Sequence, residues 1–186
     1  LGCFGTMCRY AAKGHEVHFL VLSQGEGGTE EGNRIDEAKQ SAGLLKSHLH
    51  IEDLPDRYMT SGHETISTIE HHINAIQPDV VFIPSGNDTH QDHRAVYLAS
   101  LVAARKVDEV YIYQSPSTTT DFKPTVYFDI TDFMDQKMEA VRIHTSQSQK
   151  IYMADRAVKG LAEYRAFDVL KNDHFFEAFE VFRIIK

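Results

Sequence analysis

Long hydrophobic runs are missing from this sequence. No window approaches the ~18 consecutive apolar residues of a membrane-spanning helix, and no basic-then-apolar stretch resembles a signal peptide. Cysteine is scarce: only Cys3 and Cys8 are present. They stand too close together to gain much from a disulfide, and they read as reduced thiols of a cytoplasmic protein. Basic charge is short as well. Nineteen Lys and Arg against 27 Asp and Glu give a formal net charge of −8, which argues against a nucleic-acid partner, since that binding depends on cations neutralising phosphates. Internal repeats and low-complexity linkers are absent. The glycine-rich stretch Gly25-Glu26-Gly27-Gly28 has neither the Lys-Ser/Thr of a phosphate-binding loop nor Gly-x-Gly-x-x-Gly spacing, so it reads as a tight turn lining a cleft. The hydroxyls of 115–120 flank no nucleophile elbow, which argues against serine hydrolysis.

What remains is an ordinary globular chain of 186 residues, 42% hydrophobic and 25% charged, long enough to bury a core. Apolar runs at Val17–Leu22, 49–54, 80–83, 110–113, 125–130 and 179–184 predict strands. Helical spacing is predicted over 2–13 (stopped by Gly14), 33–47, 62–76, 93–105, 131–144 and 153–166. This alternation, with short connections, predicts one α/β domain over 1–186. Its sheet is Rossmann-like and mostly parallel, flanked by helices on both faces.

Histidine is abundant, at 11 of 186 residues, and its spacing matters more than its number. Directly after the apolar run 80–83 comes Asp88-Thr89-His90-Gln91-Asp92-His93. In open α/β sheets ligands bind outside the carboxyl ends of strands. Imidazole and carboxylate together suit zinc, whose catalytic sites use three protein ligands and keep one position for water. One histidine can hold metal while the other handles protons. Asp92, two residues from His90 and adjacent to His93, is placed to orient a ring through its N–H. On spacing alone, a polar loop with two solvated histidines stands equal to a metal site.

The block His90-Gln91-Asp92-His93-Arg94-Ala95-Val96 resembles the His-Pro-Asp-His-Arg-Ala-Val block of the LmbE-like (PIG-L) family of zinc-dependent N-acetylglucosaminyl deacetylases, with Gln91 in place of the proline. Four further pieces agree in order: Leu1-Gly2-Cys3-Phe4-Gly5-Thr6, then Gly14-His15-Glu16-Val17 with Gly25-Glu26-Gly27-Gly28, then Arg34-x-x-Glu37-Ala38, then His144-Thr145-Ser146-Gln147. The resemblance implies the LmbE-like deacetylase fold, zinc (Zn2+) as cofactor, His93 as a zinc ligand, His90 as the catalytic histidine and Asp92 as its partner. It also implies a substrate contact for Arg34. His144 reads either as a residue facing the site or as a helix-end histidine on the last carbonyls.

The family's other two ligands and its general base lie in an Ala-His-Pro-Asp-Asp block, which this sequence does not contain. The expectation is therefore that residues precede Leu1 in the intact protein, and that the 186 residues alone are incomplete for activity.

The implied chemistry is hydrolysis of an acetamide on a small amino-sugar substrate. Zinc activates water, a carboxylate takes its proton, and charged His90 faces the oxyanion or the leaving amine. A metal-free sugar- or nucleotide-binding module on the same scaffold, and a hydrolase of a different amide, are the alternatives. The sequence also admits a homo-oligomer.

Overall fold

A computed structural model describes residues 1–25 and 34–186. The elements run α1 (Phe4–Ala12), β1 (His18–Val21), α2 (Arg34–Gly43), β2 (His48–Ile51), α3 (His63–Ile76), β3 (Val80–Pro84), α4 (Gln91–Ala103), β4 (Glu109–Tyr113), β5 (Val126–Asp129), α5 (Met134–Ile143), α6 (Asp155–Asp168) and β6 (Phe176–Ile184). The expected α/β alternation is therefore present. Strands β1 and β2 form one parallel pair and β3 and β4 another, while β6 runs antiparallel to β4. Residues 26–28 of the glycine-rich turn lie outside the described residues.

The chain divides into two interleaved compact units. The first holds 3–54 and 127–177. Its core is built from Ile130, Met134, Met138, Val141, Met153, Val158 and Ala162. The start of α1 meets a buried carboxylate there: Glu177 accepts the N–H groups of Gly5 at 3.0 Å and Thr6 at 2.7 Å. Lys137 pairs with the same carboxylate at 2.6 Å. An anion at a helix start satisfies amides that have no partner within the helix, and the lysine balances its charge. Gly5 has to be small, because a Cβ there would lie 2.7 Å from Ile130 Cδ1.

Burial pushes the thiols of Cys3 and Cys8 up to about 12, with the Glu177 charge adding to it. Both cysteines are free, and neither is suited to act as a nucleophile.

The second unit holds 55–126 and 178–186. Ile83, Val110 and Ile112 from β3 and β4 pack with Ala104, Val107 and Phe122. Strand β3 reads Val80-Val81-Phe82-Ile83-Pro84, apolar throughout, as a strand covered on both faces should. Its proline falls at the final position. There the chain leaves the ladder and enters the histidine-bearing loop.

Among the described residues, no helix is long and apolar enough to cross a membrane.

Candidate metal and catalytic site

Strand β3 delivers the chain into the segment 85–90, and α4 begins at Gln91, two residues before the apolar pattern places it. His90 is the N-cap. Its backbone is extended, and its Nδ1 accepts the Asp92 N–H at 3.3 Å. A histidine N-cap is not one of the usual Ser, Thr, Asn or Asp signals. The consequence is that His93 sits in the first turn of α4, beside His90, with the two rings stacked at 4.7 Å between centroids.

The residue that organises this turn is Asp88, whose side chain is fully buried. Its Oδ1 accepts the His90 N–H at 2.8 Å. Its Oδ2 meets His93 Nδ1 at 2.9 Å, and it also accepts from the hydroxyls of Ser115 and, at 3.3 Å, Thr118. Burial alone would raise this carboxyl, yet the hydrogen bonds from Ser115, Ser117, the His90 amide and His93 outweigh it and hold it well below the usual carboxylate range. An ionised carboxylate only accepts, so the proton facing it must be on His93 Nδ1. In the neutral ring the lone pair is then on Nε2.

The loop 115–118 is fixed against the same segment. Thr89 N–H donates to the Ser117 carbonyl at 3.0 Å, and Thr119 N–H to that of Asn87 at 2.7 Å. The hydroxyl-rich stretch that argued against a serine hydrolase thus serves to hold Asp88. Just before it, Gly86 allows close approach, since a Cβ there would meet the Tyr97 ring at 2.5 Å.

Asp92 is buried, and its described contact with His90 runs through its backbone amide. Its Oδ2 accepts the Arg57 N–H at 2.6 Å, while Oδ1 is buried with no hydrogen-bond partner among the described residues. The carboxylate that orients a histidine ring in this segment is therefore Asp88, acting on His93.

Arg34 belongs to the first unit, at the start of α2. Its side chain lies against Gly25, whose φ is +77° and where a Cβ would come within 2.5 Å of Nη1. Its Nε is buried and has no partner among the described residues. One turn on, Glu37 accepts from Ser146 N–H at 2.8 Å, Ser146 Oγ at 2.7 Å and Thr145 Oγ1 at 3.0 Å. Two of the sequence blocks, Arg34-x-x-Glu37 and His144–Gln147, thus meet. His144 Nε2 lies 3.1 Å from Ser41 Oγ, and its Nδ1 is 3.7 Å from Glu37. Burial lowers the pKa of His144.

Two predictions arise here. Asp88→Asn places an amide where an anion was and removes the fixed acceptor for His93 Nδ1–H. Stability is expected to fall by about 1–3 kcal/mol, and in a chain carrying the Ala-His-Pro-Asp-Asp block any zinc held by His93 should bind roughly 10–100-fold more weakly, the usual cost of losing a group that orients a ligand. A zinc titration with a thermal melt checks both; unchanged zinc affinity would refute the orienting role.

The second is acid sensitivity. Burial would raise Glu37 too, but the bonds from Ser146 and Thr145 lower it overall, as hydrogen bonds lower Asp88. A carboxyl depressed in the folded state contributes stability above its unfolded pKa and loses it as pH falls. The melting temperature should therefore drop as pH falls below the ordinary values of 4.5 and 3.8. Glu37→Gln should flatten that drop, which melts in a pH series would reveal.

Residues 1–104 match the family model described as PIG-L: GlcNAc-PI de-N-acetylase. The chain is 32% identical over 155 residues to a protein named uncharacterized deacetylase YaiS from Escherichia coli (strain K12), covering 78% of this chain and 84% of that one. It is 28% identical over 173 residues to diacetylchitobiose deacetylase from Thermococcus kodakarensis, covering 79% of this chain and 65% of that protein. Among solved structures, the conserved protein TT1542 from Thermus thermophilus superposes with a TM-score of 0.88 at 24% identity, over 100% of this chain and 90% of its own. That likeness shows a shared fold.

Proposed function

The chain belongs to the PIG-L family of deacetylases, and on that premise we propose that it is a zinc-dependent hydrolase. Its substrate would be an N-acetylated amino sugar or an N-acetylglucosaminyl conjugate, from which it removes the acetyl group. The observation that carries this reading is the Asp88–His93 pair. A carboxylate that fixes the proton on one ring nitrogen and frees the other for metal is the recurrent support of a zinc-bound histidine. Oδ1 of buried Asp92, which has no partner among the described residues, supports it further, since a buried carboxylate oxygen without a donor is costly in a site that nothing else enters.

In this reading His93 holds the zinc through Nε2. The other two ligands and the general base implied by the resemblance belong to the Ala-His-Pro-Asp-Asp block, which this sequence does not contain. The ion, when bound, supplies Lewis acidity and lowers the pKa of a water molecule.

His90 performs the remaining step that this chain contains. With Nδ1 accepting the Asp92 N–H, the ring carries its proton on Nε2, and that N–H is the donor for the oxygen of the acetamide as charge builds on it. Asp92 holds His90 through the helix start; for Arg34, a substrate contact is what the resemblance implies, and its buried Nε has no partner among the described residues.

The test is acetate release from N-acetylglucosamine and N,N'-diacetylchitobiose by a chain carrying the Ala-His-Pro-Asp-Asp block, before and after chelation and with zinc restored. Zinc-dependent acetate release is expected from that chain and none from residues 1–186 alone, because one neutral imidazole does not hold zinc against water. Sugar binding with neither metal dependence nor acetate would favour the metal-free binding module instead.

A further inference from the structure

In the first unit, at the amino-terminal ends of β1 and β2, four titratable side chains gather that the site above does not use. Parallel pairing sets His18 opposite His48, and the two-residue period of a strand brings His50 to the same face as His48, with Glu16 two residues ahead of His18. The His18 ring is stacked on both neighbours, with centroids 4.7 Å from His48 and 5.3 Å from His50. Glu16 Oε1 lies 2.9 Å from His18 Nε2 and 3.3 Å from His48 Nε2. One ligand atom from each of Glu16, His18 and His48 falls within 4.8 Å of the other two.

We infer that Glu16, His18 and His48 form a binding site for a first-row divalent cation, with zinc as the ion that suits the donors. Two imidazoles and a carboxylate are the borderline set that zinc accepts. Ligand atoms about 2.0–2.1 Å from a tetrahedral ion stand about 3.3–3.4 Å apart, a consequence of that bond length. The Glu16–His48 separation matches this edge, and the Glu16–His18 separation is somewhat shorter.

The fourth residue fits a supporting role. His18 Nδ1 is 3.0 Å from His50 Nε2, so a proton on His18 Nδ1 can be donated to His50. That tautomer frees His18 Nε2 for metal, as second neighbours of zinc ligands do. Exposure is graded to match: the His18 side chain is 20% exposed, while those of His48 and Glu16 are 59% and 69%. One ligand is anchored in the strand pair, and the open side can admit a water as the fourth. Bound metal would tie β2 to β1, clipping together the ends of a two-stranded sheet.

The site shares no residue with the His90–His93 segment, so the two can be tested apart. In a block-bearing chain with His93→Ala, titrated with Zn2+ and with Co2+ as a spectroscopic stand-in, one equivalent should still bind. Co2+ should show the intense visible absorption of a low-coordinate site, and zinc should raise the melting temperature by mass action. Adding His48→Ala or Glu16→Gln should weaken binding roughly 100-fold or more and abolish the thermal shift, and His50→Ala should weaken it about 10–100-fold. Because His48 and Glu16 are exposed, their variants should keep the fold, and a metal-free melt checks that they do. No binding in the His93→Ala chain, or equal binding with and without His48, would overturn the proposal. If His93→Ala loses no metal while His48→Ala does, the catalytic reading fails and this one stands.

Discussion

Replacing His93 by Ala in a chain carrying the Ala-His-Pro-Asp-Asp block is expected to abolish deacetylation and to release the zinc on which it depends. A catalytic zinc has three protein ligands, so the loss of one leaves two and a further position open to water. The structure adds a second cost. Asp88 Oδ2 holds His93 Nδ1 at 2.9 Å, so removing the ring also deprives a buried anion of one of its donors. Other donors remain, among them the Ser115 and Thr118 hydroxyls and the His90 amide. The fold should therefore survive, with a loss of about 1–3 kcal/mol at most, the usual cost of one buried hydrogen bond to a charged group. Metal analysis after dialysis, acetate release and a thermal melt measure the three quantities together. A folded His93→Ala protein that keeps its activity would refute the ligand assignment. If it kept one zinc but lost activity, the Glu16–His18–His48 cluster would be the holder, and the His48→Ala variant decides that directly.

The histidine segment was legible in the sequence because it follows an uninterrupted apolar strand, Val80–Pro84, and such strands place their following loops at a sheet's carboxyl edge. What was not legible is which carboxylate orients which ring. Proximity in sequence favours Asp92, adjacent to His93. In the fold, however, Asp92 turns toward Arg57, and Asp88 reaches His93 because hydroxyls 27 and 30 residues further on fix its direction. The only local hint was an aspartate just beyond the strand and five residues ahead of His93.

The apolar pattern places the start of α4 two residues late for a related reason: its cap is an imidazole, outside the usual Ser, Thr, Asn and Asp signals. The Glu16–His18–His48 cluster was invisible because the strands that bring it together are 30 residues apart, and their register decides which side chains face each other. The division into two compact units is not marked in the sequence either. Each unit is assembled from separate stretches of chain, so no linker or change of composition falls at a boundary.

For His90, the expected result is a loss of kcat by roughly 10²–10⁴ with KM little changed and zinc retained, the range for removing a positioned acid or oxyanion donor. The structure shows why alanine alone is an imperfect probe. His90 is also the N-cap of α4, taking the Asp92 N–H on Nδ1, and loss of a cap costs about 0.5–2 kcal/mol. Asp92 and His93 occupy the turn that this cap begins, so His90→Ala disturbs their placement as well as removing a donor. Asparagine separates the two effects. It is among the best N-caps, its side-chain oxygen can accept the same amide, and it carries no imidazole N–H at the position of Nε2. If His90 acts as the oxyanion donor, both variants should lose activity to a similar degree, while only His90→Ala melts earlier. Should His90→Asn instead retain near-normal kcat, the histidine would be a cap and no more. Should either variant lose its zinc while remaining folded, His90 would be a ligand, and the roles of the two histidines would have to be exchanged.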